Sequence, residues 1–340
     1  MTIQMKPYAE RTPDMQYRDL LQNVYLNGKR TQSPQGIDRF SVICPPQFRF
    51  ELTNGFPVIT ERDITFWRQP IGEMCAFING VRTVEGLKEF GCHYWKDWAN
   101  SPYAEKMGLK PGDLGPGSYG PAFHDFPMPP EDADKIIGSI RDLVLDAVDG
   151  SSGNCWETAG EALTLLQELR PRSFNQFKHL VEQIREVPYL ATHEVSPWIP
   201  YYTVRGEGKE RRVIVAPCHG WIHVEILDDT LYLEMRQRSA DILVGVPSNL
   251  VQYSALALML AHLTSYRRIV YIHRFSNAHI YKNQFPWVEE ILARAPRPFP
   301  TLSLIEDARR INDIHAFRRE HFTLTDYDPH PAINGIPVAP

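Results

Sequence analysis

The spacing of apolar positions predicts both helices and strands along the chain. In segment 17–28 apolar residues recur at helical spacing and a glycine follows, which predicts an amphipathic helix. The mostly apolar segments 65–80 and 248–266 predict buried helices. Alternating or β-rich segments predict strands at 48–52, 212–216, 222–227, 230–235 and 268–272. Because these elements mix without regular β-α-β alternation, we expect an α+β fold.

Proline and glycine mark the expected loops. Segment 101–120 is rich in both residues and predicts a loop, and Asn54-Gly55 predicts a hairpin turn after the strand at 48–52. Segment 128–175 alternates acidic loop with helix-like stretches, so we expect a surface insertion there. We expect a single domain over residues 1–340 that carries this insertion.

Composition and charge exclude several classes of protein. The 340 residues include 36 Lys+Arg and 41 Asp+Glu, and 43% of residues are hydrophobic. These values exclude a disordered chain, a coiled coil and a protein that mainly wraps nucleic acid. No segment approaches the roughly 20 apolar residues of a membrane span, so we expect no membrane or nucleic-acid partner and a cytoplasmic location. The five cysteines form no C-x-x-C pair, so a disulfide framework or zinc ribbon is not expected.

Cys218 is the candidate nucleophile among the cysteines. It follows a strand-like segment and Pro217 and precedes His219. A thiolate is a strong nucleophile when positive charge lowers its pKa, and Arg238 could supply that charge. A buried structural cysteine is the alternative interpretation. We expect the other four cysteines to be reduced packing residues.

Hydrogen-bond donors crowd the end of the predicted strand at 230–235. Arg236, Gln237, Arg238 and Ser239 suit a phosphate, although a solvated strand edge would have the same composition. The sequence contains neither a P-loop nor a strand-linked G-x-G-x-x-G motif, which disfavours those modes of nucleotide binding.

Three further polar residues carry candidate chemistry. Glu73 interrupts an apolar segment, so it is either a buried acid/base group or the exposed edge of an amphipathic helix. His279 and Tyr281 are two residues apart and face the same way in a strand, either toward sugar hydroxyls or as a core pair. The 12 histidines show no H-E-x-x-H spacing, so no metal is expected.

Several segments together resemble the thymidylate synthase family in order and spacing. They are APCH (216–219), QRSAD (237–241), VGVPSN (244–249), NAHIYKN (277–283), GFPVIT (55–60), YWKDWA (94–99), DLGPGSYG (113–120) and the terminal YDPHPAINGIPVAP (327–340). The resemblance covers nearly the whole chain apart from 128–175. It implies a single-domain fold with a mixed or antiparallel sheet flanked by helices, with one sheet face used to form a homodimer.

The resemblance also implies roles for individual residues. Cys218 would attack carbon 6 of dUMP, and carbon 5 would take a methylene group from the co-substrate 5,10-methylenetetrahydrofolate. Glu73 would run a proton relay through ordered water, and Tyr119 would assist proton removal from carbon 5. The implied catalytic set is Cys218, Glu73, Tyr119, Arg238 and Asp241. The implied nucleotide ligands are Arg30 (a weaker phosphate candidate), His219, Gln237, Arg238, Ser239 (phosphate), Asn249 (uracil), His279 and Tyr281 (deoxyribose). The implied folate contacts are Trp95, Trp98, Asp241, Gly245 and Ala339.

Departures from the family pattern affect the phosphate and the last chemical step. Thr192 and His193 stand where the family has paired arginines that reach the neighbouring subunit's phosphate. Ser248 replaces a phenylalanine beside the folate, and Asn277 replaces an aspartate. Ser248 leaves room for water to add to the methylene, as in phage-type hydroxymethylases, whereas Trp95 and the tail would shield it.

The favoured expectation is therefore a deoxyuridylate hydroxymethylase, in the host cytoplasm if phage-encoded. Thymidylate synthase, a cytidylate hydroxymethylase and a catalytically dead nucleotide-binding homologue are the alternatives.

Overall fold

The computed structural model describes residues 3, 5–33, 36–100, 102–128, 138, 141–142, 173–208 and 210–338. Almost all of the expected insertion at 128–175 lies outside the described residues, as do Cys155 and the candidate folate residue Ala339. Within the described part, no helix is both long and apolar enough to cross a membrane.

Helices and strands alternate irregularly along the described chain. The helices are α1 (Gln16–Asn27), α2 (Arg68–Ile78), α3 (Val84–Glu89), α4 (Lys96–Ala99), α5 (Pro102–Lys106), α6 (Tyr119–His124), α7 (Gln176–Glu186), α8 (Pro200–Thr203), α9 (Gly245–Thr264) and α10 (Phe285–Leu292). The strands are β1 (Lys29–Gln32), β2 (Asp38–Ile43), β3 (Phe48–Glu51), β4 (Phe126–Pro127), β5 (Ser173–Phe174), β6 (His193–Val195), β7 (Trp221–Leu227), β8 (Thr230–Gln237), β9 (Ala240–Asp241), β10 (Arg268–Phe275), β11 (Asn277–Tyr281), β12 (Thr301–Leu304) and β13 (Phe322–Thr325).

Two mixed sheets form the framework. The larger has the order β3-β10-β8-β7-β6, in which only β10 and β8 run parallel. The smaller has the order β1-β2-β11-β9, with β11 parallel to β9. With helices packed against them, these sheets confirm the expected single-domain α+β fold with a mixed sheet.

Helix α9 forms the centre of the core. Its apolar sequence is buried along almost its whole length, and it packs against α2 and α7 as well as β8 and β10. A helix that is apolar on every side must be enclosed by other elements. The polar residues inside it, such as Asn249 and Gln252, are therefore held in a dry environment.

The larger sheet buries only one of its faces fully. On β7 the side chains of Ile222 and Val224 are buried, whereas Trp221 and His223 on the opposite face are partly exposed. The partly exposed face is the one that the homodimer expectation requires, and that expectation stays a prediction.

Three local predictions were wrong. Segment 212–216 is a loop and not a strand: Val213 and Ile214 are buried without strand pairing, while Arg212 is exposed. Strand β3 does not enter a hairpin; the chain turns at Gly55, with φ 109°, and β3 pairs with β10. The predicted loop at 101–120 contains α5 and the first residues of α6.

Candidate active site

Cys218 lies in the loop before β7, with its thiol against an arginine. Its Sγ is 3.5 Å from Nη2 of Arg238. The guanidinium also donates to the carbonyls of Ala216 (2.8 Å) and Pro217 (2.7 Å), so it is fixed beside the thiol. Burial raises the pKa of the Cys218 thiol, and the charge of Arg238 opposes that shift. The positive charge of Arg238 therefore favours the thiolate form of Cys218.

Tyr119 and His219 lie next to the Cys218 backbone and contact each other. The Tyr119 hydroxyl accepts a hydrogen bond from the Cys218 N–H at 2.7 Å, and its ring stacks on His219 with centroids 4.6 Å apart. His219 Nδ1 lies 2.6 Å from the Tyr253 hydroxyl. Burial lowers the pKa of His219 to about 3, with a smaller contribution from Arg238, so the ring is neutral.

Glu73 is a buried acid rather than the edge of an amphipathic helix. Its side chain, 4% exposed on α2, accepts hydrogen bonds from Tyr94 (2.8 Å), Gln252 (2.9 Å) and the Trp95 indole. Burial raises the pKa of Glu73 to about 7, although the three donors lower it in part. A carboxyl group with this pKa can both take and give a proton near neutral pH.

Asn249 belongs to a buried network of amides. Its Nδ2 donates to Gln252 at 3.1 Å, and its Oδ1 accepts from Gln237 at 3.0 Å. Gln237 in turn lies 2.7 Å from His273. The network joins α9 to β8 and β10 and continues through Gln252 to Glu73.

His279 and Tyr281 are neighbours on β11, as the spacing predicted. Their ring centroids are 5.3 Å apart, and His279 Nδ1 lies 3.0 Å from Asn277 Oδ1. Burial lowers the pKa of His279 to about 3. Both side chains are buried, which is compatible with either the sugar-binding or the core-pair interpretation.

The candidate folate residues form two groups. Trp95 and Trp98 are in edge-to-face contact, with centroids 5.6 Å apart. Asp241 accepts backbone N–H bonds from Leu243 (3.0 Å) and Val244 (3.2 Å), close to Gly245 at the start of α9. Burial raises the pKa of Asp241 to about 6.

Gln284 connects Asp241 to the C-terminal segment. Its Nε2 donates to Asp241 Oδ2 at 3.0 Å and to the Pro337 carbonyl at 3.0 Å. The segment around Pro337 is thus held at the edge of the site through this shared amide.

Arg30 lies apart from these groups. Its side chain on β1 is 68% exposed and pairs with Asp38 at 2.7 Å. Ser239 is closer to the site, because its carbonyl accepts from Gln237 at 3.2 Å. Among the described cysteines, Cys75 and Cys92 are buried, but Cys44 is exposed, so its prediction as a packing residue was wrong. The described residues include no group of three or more His, Cys, Asp or Glu placed to hold a metal ion.

Sequence reasoning missed the residues that connect the site. Tyr94 and Gln252 bind Glu73, Tyr253 contacts His219, and His273 contacts Gln237. A signal existed for Gln252, since it is a polar residue inside the apolar segment 248–266, three residues after Asn249.

A known protein family matches nearly the whole chain. The family model for thymidylate synthase matches residues 15–339.

Proposed function

Because the chain belongs to the thymidylate synthase family, we propose that it transfers a one-carbon unit to carbon 5 of dUMP and releases 5-hydroxymethyl-dUMP. Members of the family are one-carbon transferases that use methylenetetrahydrofolate as co-substrate. The observation that best supports this proposal is that the Cys218 thiol lies 3.5 Å from the fixed Arg238 guanidinium. The nearby acid Glu73, with a pKa of about 7, supports the final step.

Cys218 would begin the reaction by forming a bond from sulfur to carbon 6 of the uracil ring. Electron density then moves to carbon 5, which forms a bond to the one-carbon unit. Arg238 favours the thiolate that starts this step, because a cation lowers the free energy of the charged form. Burial raises the pKa of Tyr119 well above 10, so its hydroxyl stays protonated and would hold the water that accepts the carbon 5 proton.

The remaining residues would bind the two substrates. Asn249 would read the uracil edge, while Arg238 and Ser239 would meet the phosphate. His279 and Tyr281 would face the deoxyribose hydroxyl.

A folate fits the other candidate residues. The Asp241 carboxylate accepts three N–H bonds, and a carboxylate has roughly four acceptor positions, so one remains for a pterin N–H donor. Trp95 and Trp98 offer aromatic surface, and Gly245 leaves the start of α9 open. The folate would supply the one-carbon unit: as the carbon 5 proton is lost, the bond between that unit and the folate nitrogen breaks, which leaves an exocyclic methylene on carbon 5 and releases tetrahydrofolate.

Glu73 would complete the proposed reaction by activating water. At neutral pH a carboxyl group with a pKa of about 7 is partly ionised, so it can take a proton as water oxygen bonds to the exocyclic methylene carbon. The carbon–sulfur bond to Cys218 breaks and restores the ring. Ser248, half-buried on α9, would make the space beside the folate more polar.

Thymidylate synthase is the second candidate, favoured by the position of the C-terminal segment. Gln284 ties the Pro337 carbonyl to Asp241. A segment held there would exclude water, and hydride transfer from the folate would then give dTMP and dihydrofolate.

Product analysis tests both candidates. Purified enzyme is incubated with dUMP and methylenetetrahydrofolate, and the nucleotide is identified by mass spectrometry. We expect 5-hydroxymethyl-dUMP with tetrahydrofolate; dTMP with dihydrofolate would contradict the hydration step alone. Tritium release from carbon 5 of dUMP is measured in parallel with Cys218→Ala as control. Wild-type protein that releases tritium from carbon 5 of neither dUMP nor dCMP would be a catalytically dead homologue, whereas release from dCMP alone would indicate a cytidylate hydroxymethylase.

A further inference from the structure

Gln252 connects the acid Glu73 to the base-reading Asn249. Asn249 and Gln252 lie three residues apart on α9 and therefore contact each other. Gln252 turns its Nε2 toward Glu73 (2.9 Å) and its Oε1 toward Asn249. This orientation suits a carboxylate, because the ionised group only accepts hydrogen bonds. Asn249 must then donate from Nδ2 to Gln252 (3.1 Å), which places its Oδ1 toward Gln237.

At the opposite end of the network, Gln237 favours the same orientation of the Asn249 amide. Gln237 Nε2 donates both to Asn249 Oδ1 (3.0 Å) and to the Ser239 carbonyl (3.2 Å). A carbonyl only accepts, so Gln237 cannot reverse its amide without facing oxygen against oxygen. Its Oε1 lies 2.7 Å from Nε2 of His273, whose Nδ1 is 3.0 Å from the Tyr271 hydroxyl.

The His273 ring is suited to this arrangement. Burial lowers the pKa of His273 well below its usual value, so the neutral ring carries a single proton. That proton lies on Nε2, because Gln237 Oε1 can only accept and the Tyr271 hydroxyl can donate to Nδ1. His273 and Gln252 thus anchor opposite sides of the Gln237–Asn249 pair.

We propose that Gln252 and His273 are positioning residues that determine base specificity, by locking the Asn249 amide in the orientation that reads uracil and rejects cytosine. The inference rests on the proposed function, since it takes Asn249 as the group that meets the base. After its two internal bonds, Asn249 keeps one N–H and one lone pair for a ligand. Uracil offers a carbonyl at carbon 4 and an N–H at nitrogen 3, which match this pair.

Cytosine requires the reverse orientation of Asn249. Its amino group at carbon 4 donates and its nitrogen 3 accepts, so the Asn249 amide would have to turn over. The turned amide would set Oδ1 against Gln252 Oε1 and Nδ2 against Gln237 Nε2, leaving buried groups unsatisfied. From the usual cost of such groups we expect dCMP to bind about 100-fold more weakly than dUMP.

Calorimetric titration of the wild-type protein and its variants with dUMP and dCMP tests the proposal. Gln252→Met keeps the length of the side chain but neither donates nor accepts as an amide does, and His273→Phe removes the donor to Gln237. We expect each variant to reduce the dUMP-to-dCMP affinity ratio about 10-fold. His273→Gln should restore the ratio, because an amide N–H reaches a similar distance from the backbone.

Ser254→Ala is the matched control on α9. Its Oγ is buried and has no hydrogen-bond partner among the described residues, so this variant should keep the wild-type ratio. Equal weakening of both nucleotides by Gln252→Met and His273→Phe, with the ratio unchanged, would overturn the proposal.

Folding defects and failure of the proposed function give separate signatures. If melting curves show that Gln252→Met is unfolded, the affinity ratios of His273→Phe and His273→Gln still test the proposal, because His273 lies at the opposite end of the network. Wild-type protein that binds neither nucleotide would refute the proposed function and the inference together. A changed ratio in His273→Phe without rescue by His273→Gln would also count against the inference.

Discussion

The base side and the phosphate side of the candidate site are built differently. On the base side, Glu73, Gln252 and Asn249 are buried, and Gln252 is hydrogen-bonded to both of the other two. On the phosphate side, Arg238 directs Nε and Nη2 at backbone carbonyls, and Arg30 is exposed beside Asp38. The groups proposed to read the base are therefore already held in place within one chain, whereas few cationic donors among the described residues are free to bind a phosphate.

This contrast suggests what a homodimer would contribute to the site. A bound phosphate is stabilised by several charge-assisted hydrogen bonds, and guanidinium groups supply them best. Thr192 and His193 occupy the positions that carry paired arginines in the family resemblance, and His193 is buried on β6. We propose that a partner subunit packed on the larger sheet supplies other cations. The oligomeric state can be measured by analytical ultracentrifugation.

Removal of the nucleophile should have the largest effect. Cys218→Ala leaves no sulfur to bond to carbon 6, so tritium release from carbon 5 of dUMP should fall by about 10⁴-fold or more. Cys44→Ala is the control, because that cysteine is exposed and lies on the turn after β2. Exchange at the wild-type rate in Cys218→Ala would exclude the proposed covalent step.

Replacement of the buried acid should have the next largest effect on turnover. Glu73→Gln keeps the size of the side chain but cannot exchange a proton, so product formation should fall by about 10²- to 10⁴-fold. Affinity for dUMP, measured by calorimetry, should change much less. Turnover within twofold of wild type would remove Glu73 from the proton relay.

Glu73 should also make stability depend on pH. Its pKa is raised from 4.5 in the unfolded chain to about 7 in the fold, so folding favours the protonated acid. The stabilisation is present below pH about 4.5 and is lost as pH rises to about 7. Relative to Glu73→Gln, the wild type should lose roughly 3 kcal/mol of unfolding free energy across that window. Urea unfolding of both proteins at several pH values measures the difference, and parallel pH curves would contradict it.

Arg238 should influence the reactivity of the thiol. Arg238→Met removes the positive charge 3.5 Å from Sγ, so the pKa of the Cys218 thiol should rise and its alkylation by iodoacetamide at neutral pH should slow about 10-fold. Arg236→Met is the matched control, because Arg236 is exposed on β8, two residues before Arg238, and lies over Trp221 at 4.5 Å. Equal rates in the two variants would show that the charge of Arg238 does not activate the thiol.

The sequence was informative where a residue contrasts with its local surroundings. Glu73 in an apolar segment was recognised as a candidate acid, and the structure places it in a buried helix with three donors. Helix α9 was predicted nearly to its observed length from its continuous apolar run. In both cases the prediction depended only on residues that are close together in the sequence.

The unpredicted parts depend on contacts between distant segments. His273 on β10 meets Gln237 on β8 only because those strands run parallel in the larger sheet. Likewise β3 pairs with β10, far along the chain, so its partner could not be predicted from a nearby turn. Val213 and Ile214 are apolar and buried in a loop, and the sequence pattern alone does not distinguish such a loop from a strand.

Arg30 should show the smallest effect and so test the phosphate side directly. Its side chain is 68% exposed and paired with Asp38, and an exposed ion pair of this kind is worth about 0.5 kcal/mol. Arg30→Ala should therefore leave stability almost unchanged, and the KM for dUMP should rise less than about threefold if Arg30 stays with Asp38. Asp38→Ala is the control, since it frees the guanidinium to reach a ligand. A tenfold rise in KM for Arg30→Ala would mean that β1 supplies phosphate contacts after all. The base side would then no longer be the only part of the site prepared within one chain.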